Sequence, residues 1–275
     1  MMKRLILFTF LLFFWCFSGN SQSVVNLKKT LVLQMPKIDG EHSGKNGASV
    51  VWHPGQKKYY AAFAGRSSYP LGVFSANGDR LSNDDMKTLI DVRGLWYNPN
   101  KKEVWGNGYY LSGWFSYKLS STGLVIGIES ETEDETSQAE DNAVGVYNAD
   151  ANVVLFLSYD AKVHVYTHKG SFKETIAIHW GRTSSMKTDI ETYPDLLQDS
   201  YSYHSLAYTG TKGQELGFLN VLKKQVELYE IKTGFLTKIL KLPDSVKLEE
   251  KFNFSYANGI YWLFDIQSRA WVGYN

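Results

Sequence analysis

Apolar residues along this chain come in short bursts, each closed by an aromatic and then by turn residues. Five bursts share this form: S-V-V-W-H-P-G from Ser49, G-L-W-Y-N-P-N from Gly94, V-G-V-Y-N-A-D from Val144, S-L-A-Y-T-G-T from Ser205 and N-F-S-Y-A-N-G from Asn253. Aligned on Trp52, Tyr97, Tyr147, Tyr208 and Tyr256, each is followed by a second apolar run, such as K-Y-Y-A-A-F-A from Lys58 or V-V-L-F-L-S from Val153. A third run then leads to a glycine at Gly78, Gly123, Gly170 and Gly234. The distance from anchor aromatic to turn glycine is 26, 26, 23 and 26 residues. Tight hairpins need a residue that accepts positive φ, which is the physical reason for a glycine in that column.

Short strands between turn signals, with almost no helical period, predict an all-β fold. Repeated units of three or four strands predict the blades of a β-propeller. The fifth unit runs out of chain before its glycine and offers only three strands. An unassigned run at the other end, N-L-K-K-T-L-V-L-Q-M from Asn26 to Met35, resembles the fourth strands K-E-T-I-A-I (from Lys173) and L-T-K-I-L-K-L (from Leu236). Docked on the last blade it would close the ring and cover open edges. The expectation is therefore a five-bladed propeller closed by an N-terminal strand. Six blades is the alternative. It needs a unit between Gly170 and Tyr208, where residues 181–200 are too polar for four strands. That stretch reads as an insertion loop with a helical turn after Pro194.

In strand spacing, residues 22–275 resemble small secreted propellers with repeats of the NHL or YVTN kind. The resemblance implies architecture and little else, because propellers host enzymes, lectins and scaffolds alike.

Composition adds the compartment. Met-Met-Lys-Arg precedes an apolar run from Leu5 to Phe17 and then S-G-N-S-Q, the grammar of a secretory signal peptide. Residues 1–21 are expected to be removed, leaving one domain over 22–275, secreted or periplasmic, with no membrane insertion after cleavage. The single cysteine, Cys16, lies inside the signal, so the remaining chain has no disulfide or thiolate ligand. Lysine plus arginine (29) nearly balance aspartate plus glutamate (28), which gives no basic field for nucleic acid. A monomer is expected.

Candidate chemistry gathers in the segments leading into each blade's first strand. They bring His42 and Lys45, Asp91 and Arg93, Glu140 and Asp141, Tyr203 and His204, and Glu250 and Asn253 to one predicted loop face. Tyr109, Tyr110 and Trp114 join them from a turn of the second blade. Such rings suit sugar faces, and they equally suit packing between blades. The candidate ligand-binding set is Asp91, Arg93, Tyr109, Trp114, Tyr203, His204 and Asn253. No catalytic group is assigned; His42, Arg93 and His204 are the candidates. Glu140, Asp141 and Glu250 could offer oxygen ligands to a divalent cation such as calcium, although no cofactor is indicated by motif. The seven carboxylates between Glu129 and Asp141 read as a solvated loop. S-S-M-K from Ser184 and K-T-G from Lys232 match penicillin-binding motifs, but K-T-G sits in the hairpin-glycine column. The functional expectation is a module binding a glycan or an envelope protein through its loop face. The alternative is a hydrolase, lactonase or lyase working in the central funnel.

Overall fold

The computed structural model describes residues 23–36, 46–132, 137–186, 199–248 and 252–275. Two strands, β1 (Ser23–Asn26) and β2 (Lys29–Gln34), come before the first blade. Blade 1 holds β3 (Asn46–His53), β4 (Lys58–Ala64) and β5 (Gly72–Ser75). Blade 2 holds β6 (Val92–Asn98), β7 (Glu103–Gly108), β8 (Trp114–Leu119) and β9 (Val125–Ser130). Blade 3 holds β10 (Val146–Asn148), β11 (Val153–Leu157), β12 (Lys162–Thr167) and β13 (Phe172–Ala177). Blade 4 holds β14 (Ala207–Tyr208), β15 (Leu216–Asn220), β16 (Gln225–Tyr229) and β17 (Leu236–Lys241). Blade 5 holds β18 (Phe254–Ala257), β19 (Ile260–Asp265) and β20 (Ala270–Tyr274).

Each blade is an antiparallel meander, and the inner strands β3, β6, β10, β14 and β18 contact one another in a closed circle. The protein is a five-bladed β-propeller. All four turn glycines have positive φ, from 68° to 87°. At Gly234 a Cβ would also run into the Ala177 carbonyl of the neighbouring blade.

Closure follows the expected route. β2 pairs antiparallel with β20, Leu33 opposite Trp271 and Gln34 opposite Ala270. Leu33 and Met35 are fully buried there. Two details go beyond the repeat pattern. β1 adds to blade 4, parallel to β17, with Val24 opposite Ile239. Blade 1 has three regular strands; after Gly78 the chain makes only isolated bridges, at Phe74–Arg80 and Pro70–Lys87. The sequence there, D-R-L-S-N-D-D from Asp79, lacks an apolar face, and Ser82 Oγ accepts the Val73 N–H that a fourth strand would have paired.

The core is a set of inter-blade layers. The anchor aromatics explain their own recurrence here, because each packs toward the preceding blade. Tyr97 meets His53 of blade 1 at 4.8 Å, and the Tyr208 hydroxyl donates to Asp150 of blade 3 at 3.1 Å. Trp52 packs with blade 5 residues and Tyr256 with blade 4. Of the stretch after Pro194 where a helical turn is expected, only Asp199 and Ser200 fall among the described residues, and both are helical.

Candidate functional site

The chain of contacts on the loop face starts from a backbone irregularity. Val92 pairs with Gly108 and Gly94 with Asn107, so Arg93 is the extra residue of a β-bulge in β6. Bulges re-aim side chains. This one turns Arg93 onto Asp91, with Nη1 donating to Oδ1 at 2.5 Å, and onto Asn142 of blade 3, with Nε donating to Oδ1 at 3.1 Å. The guanidinium lies 4.6 Å from the Tyr109 ring and 5.4 Å from the Phe252 ring of blade 5. Cation–π contact in a site this buried adds to the ion pair. Asp91 Oδ1 also accepts the Gly65 N–H of blade 1 at 2.7 Å.

From Phe252 the contacts run on to blade 4. The His204 ring stacks on Phe252 at 5.0 Å and lies 4.2 Å from Tyr203. Tyr159, from the β11–β12 turn of blade 3, meets both His204 and Tyr203. Beside it, Glu140 Oε1 accepts Ser158 Oγ–H at 2.5 Å and the Tyr159 N–H. Glu140 Oε2 is buried and receives no hydrogen bond from any described residue. Burial pushes the Glu140 carboxyl above the usual carboxylate range, against the pull of its hydrogen bonds. Burial, and then the charge of Glu140, also raise the Tyr159 phenol. Groups from all five blades thus meet in one connected cluster.

The cluster has a buried floor and an aromatic rim. Arg93 and His204 are almost wholly covered, whereas Tyr109, Tyr110 and Tyr159 are 38%, 49% and 44% exposed. Asp91, Arg93, Tyr109, Tyr203 and His204 of the expected binding set are brought together. Trp114 is not. At 1% exposure it packs edge-on against Trp96 at 5.6 Å and near Phe156 of blade 3, so it belongs to the blade 2–3 core. Asn253 is also taken up structurally. Its φ is 58°, its Oδ1 accepts the Gly47 N–H at 2.7 Å, and it ties blade 5 to blade 1. The described part of the acidic loop is not uniformly solvated: Ser137 and Gln138 are buried, and Gln138 Oε1 accepts from Asn107. His42, Lys45 and Glu250 lie outside the described residues. Among the described residues, no three groups of His, Cys, Asp or Glu come together as a metal site. Asp91 is engaged by Arg93, and Asp141 contributes its backbone carbonyl to the Tyr110 N–H.

Sequence reasoning missed Asn142, Tyr159 and Phe252. Tyr159 lies in an ordinary Tyr-Asp turn, and Phe252 is placed by a left-handed backbone (φ 33°) that nothing in the sequence announces.

The Glu140 environment has a pH signature. A carboxyl whose folded pKa exceeds its unfolded value binds more protons when folded, so stability falls as pH rises from about 4.5 through the folded value. Glu140→Gln, which imitates the protonated acid, is expected to flatten that slope and to be more stable than wild type at neutral pH. Urea midpoints between acid and neutral pH check this; parallel curves for both proteins would contradict it.

No family model matches the sequence, and neither does any curated protein. Among solved structures, the chain is similar to the crystal structure of Myxococcus xanthus glutaminyl cyclase, with TM-score 0.53 and 8% identity. The alignment covers 93% of this chain and 98% of that one. At this identity the likeness shows the propeller fold alone.

Proposed function

We propose that the protein is an exported binding module that holds a glycan against its loop face. The observation that supports this most is the tyrosine rim, Tyr109, Tyr110 and Tyr159, set over a floor to which all five blades contribute. Sugar rings offer apolar C–H faces to aromatic rings and hydroxyls to amides and carboxyls, and this rim and floor offer both. Arg93 is neutralised by Asp91, so the floor suits a neutral ligand better than an anion. Export rests on the signal-like residues 1–21.

A glycan array on residues 22–275 tests the reading. Tyr109→Ala and Tyr159→Ala are each expected to weaken the leading hit by about three- to tenfold, since an aromatic contact contributes about 0.5–1.5 kcal/mol. Unaltered binding in both variants would remove the loop face as the site.

One observation favours a second reading, an enzyme. Glu140 combines a raised pKa, a buried oxygen with no hydrogen-bond partner among the described residues and a neighbouring phenol, which are the attributes of a general acid–base group. Its propeller neighbour is a glutaminyl cyclase. A peptide with N-terminal glutamine, assayed for ammonia release, tests that activity. On this reading, Glu140→Gln abolishes the release while leaving the fold intact.

A further inference from the structure

The five anchor aromatics, which account for the repeat, also line a cavity. At the end of the channel away from the loop face, Trp52, Tyr97, Tyr147, Tyr208 and Tyr256 surround about 270 Å³ of open space together with Leu95, Ser255 and Asn258. One ring comes from each blade. The cavity is somewhat below the roughly 300–1,000 Å³ typical of drug-sized ligands, which makes it a site for one small ring.

Its polar groups are distributed unevenly. The Tyr147 hydroxyl donates to Asn152 at 2.5 Å and the Tyr208 hydroxyl to Asp150 at 3.1 Å, so the blade 3 and 4 side is already satisfied. Trp52 Nε1 and the hydroxyls of Tyr97 and Tyr256 make no hydrogen bond to any described residue. These three groups sit on the consecutive blades 5, 1 and 2. Half of the mouth is thus aromatic surface with its polar groups tied back, and the other half is aromatic surface with donors to spare. That combination matches a ligand with apolar faces and a hydroxylated edge.

Charge narrows the class. The turns between the first two strands of blades 1 and 2 carry exposed Lys57, Lys101 and Lys102, whereas the acids Asp150 and Glu215 lie near Tyr208 on the opposite side. On the blade 1 and 2 side, where the donors are to spare, a quaternary ammonium would face a repulsive rim and a carboxylate an attractive one. We propose that this mouth is a carbohydrate site taking one hexopyranose ring, with preference for a uronic acid whose carboxylate meets the basic turns. It is separate from the loop-face site and rests on none of its residues.

Saturation-transfer NMR on residues 22–275 tests it, with methyl glucoside, glucuronic acid and tetramethylammonium as probes. Both sugars are expected to receive saturation, glucuronate binding more tightly and losing that advantage at high salt. The double variant Tyr97→Phe, Tyr256→Phe keeps both rings that pack the blades and removes two of the donors. It should melt like wild type and weaken both sugars by about tenfold. In a Tyr109→Ala, Tyr159→Ala background, which weakens the loop face, the sugar signal that remains should still be lost with Tyr97→Phe, Tyr256→Phe, which separates this mouth from the loop face. The proposal is overturned if neither sugar binds at millimolar concentration, if tetramethylammonium binds in their place, or if the Tyr97→Phe, Tyr256→Phe variant binds sugar as wild type does.

Discussion

Leu33→Ala is expected to cost about 2–5 kcal/mol, although the residue lies in a segment that precedes every blade. Leu33 is fully buried, pairs with Trp271 across the β2–β20 ladder, and belongs to the layer that also holds Phe63, Phe74 and Trp262. Removing its branched end leaves a cavity that rigid sheets on both sides cannot collapse. A melt should fall by on the order of 10 °C. Lys29→Ala, in the same strand but exposed, should melt like wild type. Deleting the chain through Met35 should have a far larger effect, because it uncovers β20 as a hydrophobic edge, and such edges pair between molecules. Size-exclusion chromatography of that deletion is expected to show aggregate. A monodisperse, cooperatively melting product would mean that the ring does not depend on this closure.

The second large effect concerns a buried acid in blade 4. Glu227 is 1% exposed and accepts four hydrogen bonds: from the hydroxyls of Tyr201 and Tyr229 at 2.7 Å each, from Gln225 at 2.6 Å and from Asn220 at 3.1 Å. Burial and the nearby Glu227 charge raise both phenols, which keeps them protonated and donating. The Tyr229 oxygen in turn accepts the Gly181 N–H, and Lys241 donates to Gln225. Glu227→Ala would strand four buried donors at once, at about 3–5 kcal/mol. Tyr201→Phe removes one donor and should cost about 1.5–3 kcal/mol. The two effects should fall short of additive when combined, because they share partners. Chemical denaturation of the two single variants and the double variant measures this. Full additivity would show that the two residues act independently.

The architecture was legible because it is written five times. Spacing between anchor aromatic and glycine survives changes in the residues between, and a unit with one strand too few points to a strand elsewhere. Features that occur once were hidden. Nothing in S-V-V-N of β1 distinguishes a parallel partner from solvent, and the missing fourth strand of blade 1 shows only as a loss of alternation. At the site, residue type located the loop face but could not sort its members. Trp114 and Tyr109 look alike as aromatics beside glycine, yet a few residues separate a core ring from a rim ring. Arg93 read as a candidate from its charge alone; the bulge that buries it between two rings is a matter of register, which one strand cannot reveal. In the sequence Asn253 reads as a polar site residue; in the structure it is a left-handed backbone joint.

The double anchorage of the leading segment has a consequence for the order in which this molecule can assemble. β1 needs β17 and β2 needs β20, so Lys29 must find Tyr274 across almost the whole chain. Loop closure over such a distance is entropically slow, and contacts of this kind raise the folding barrier. The first strands made are therefore the last to be seated. Until then the half-built ring keeps an unsealed seam, exposing Leu33 and Trp271 to chaperones or to other copies.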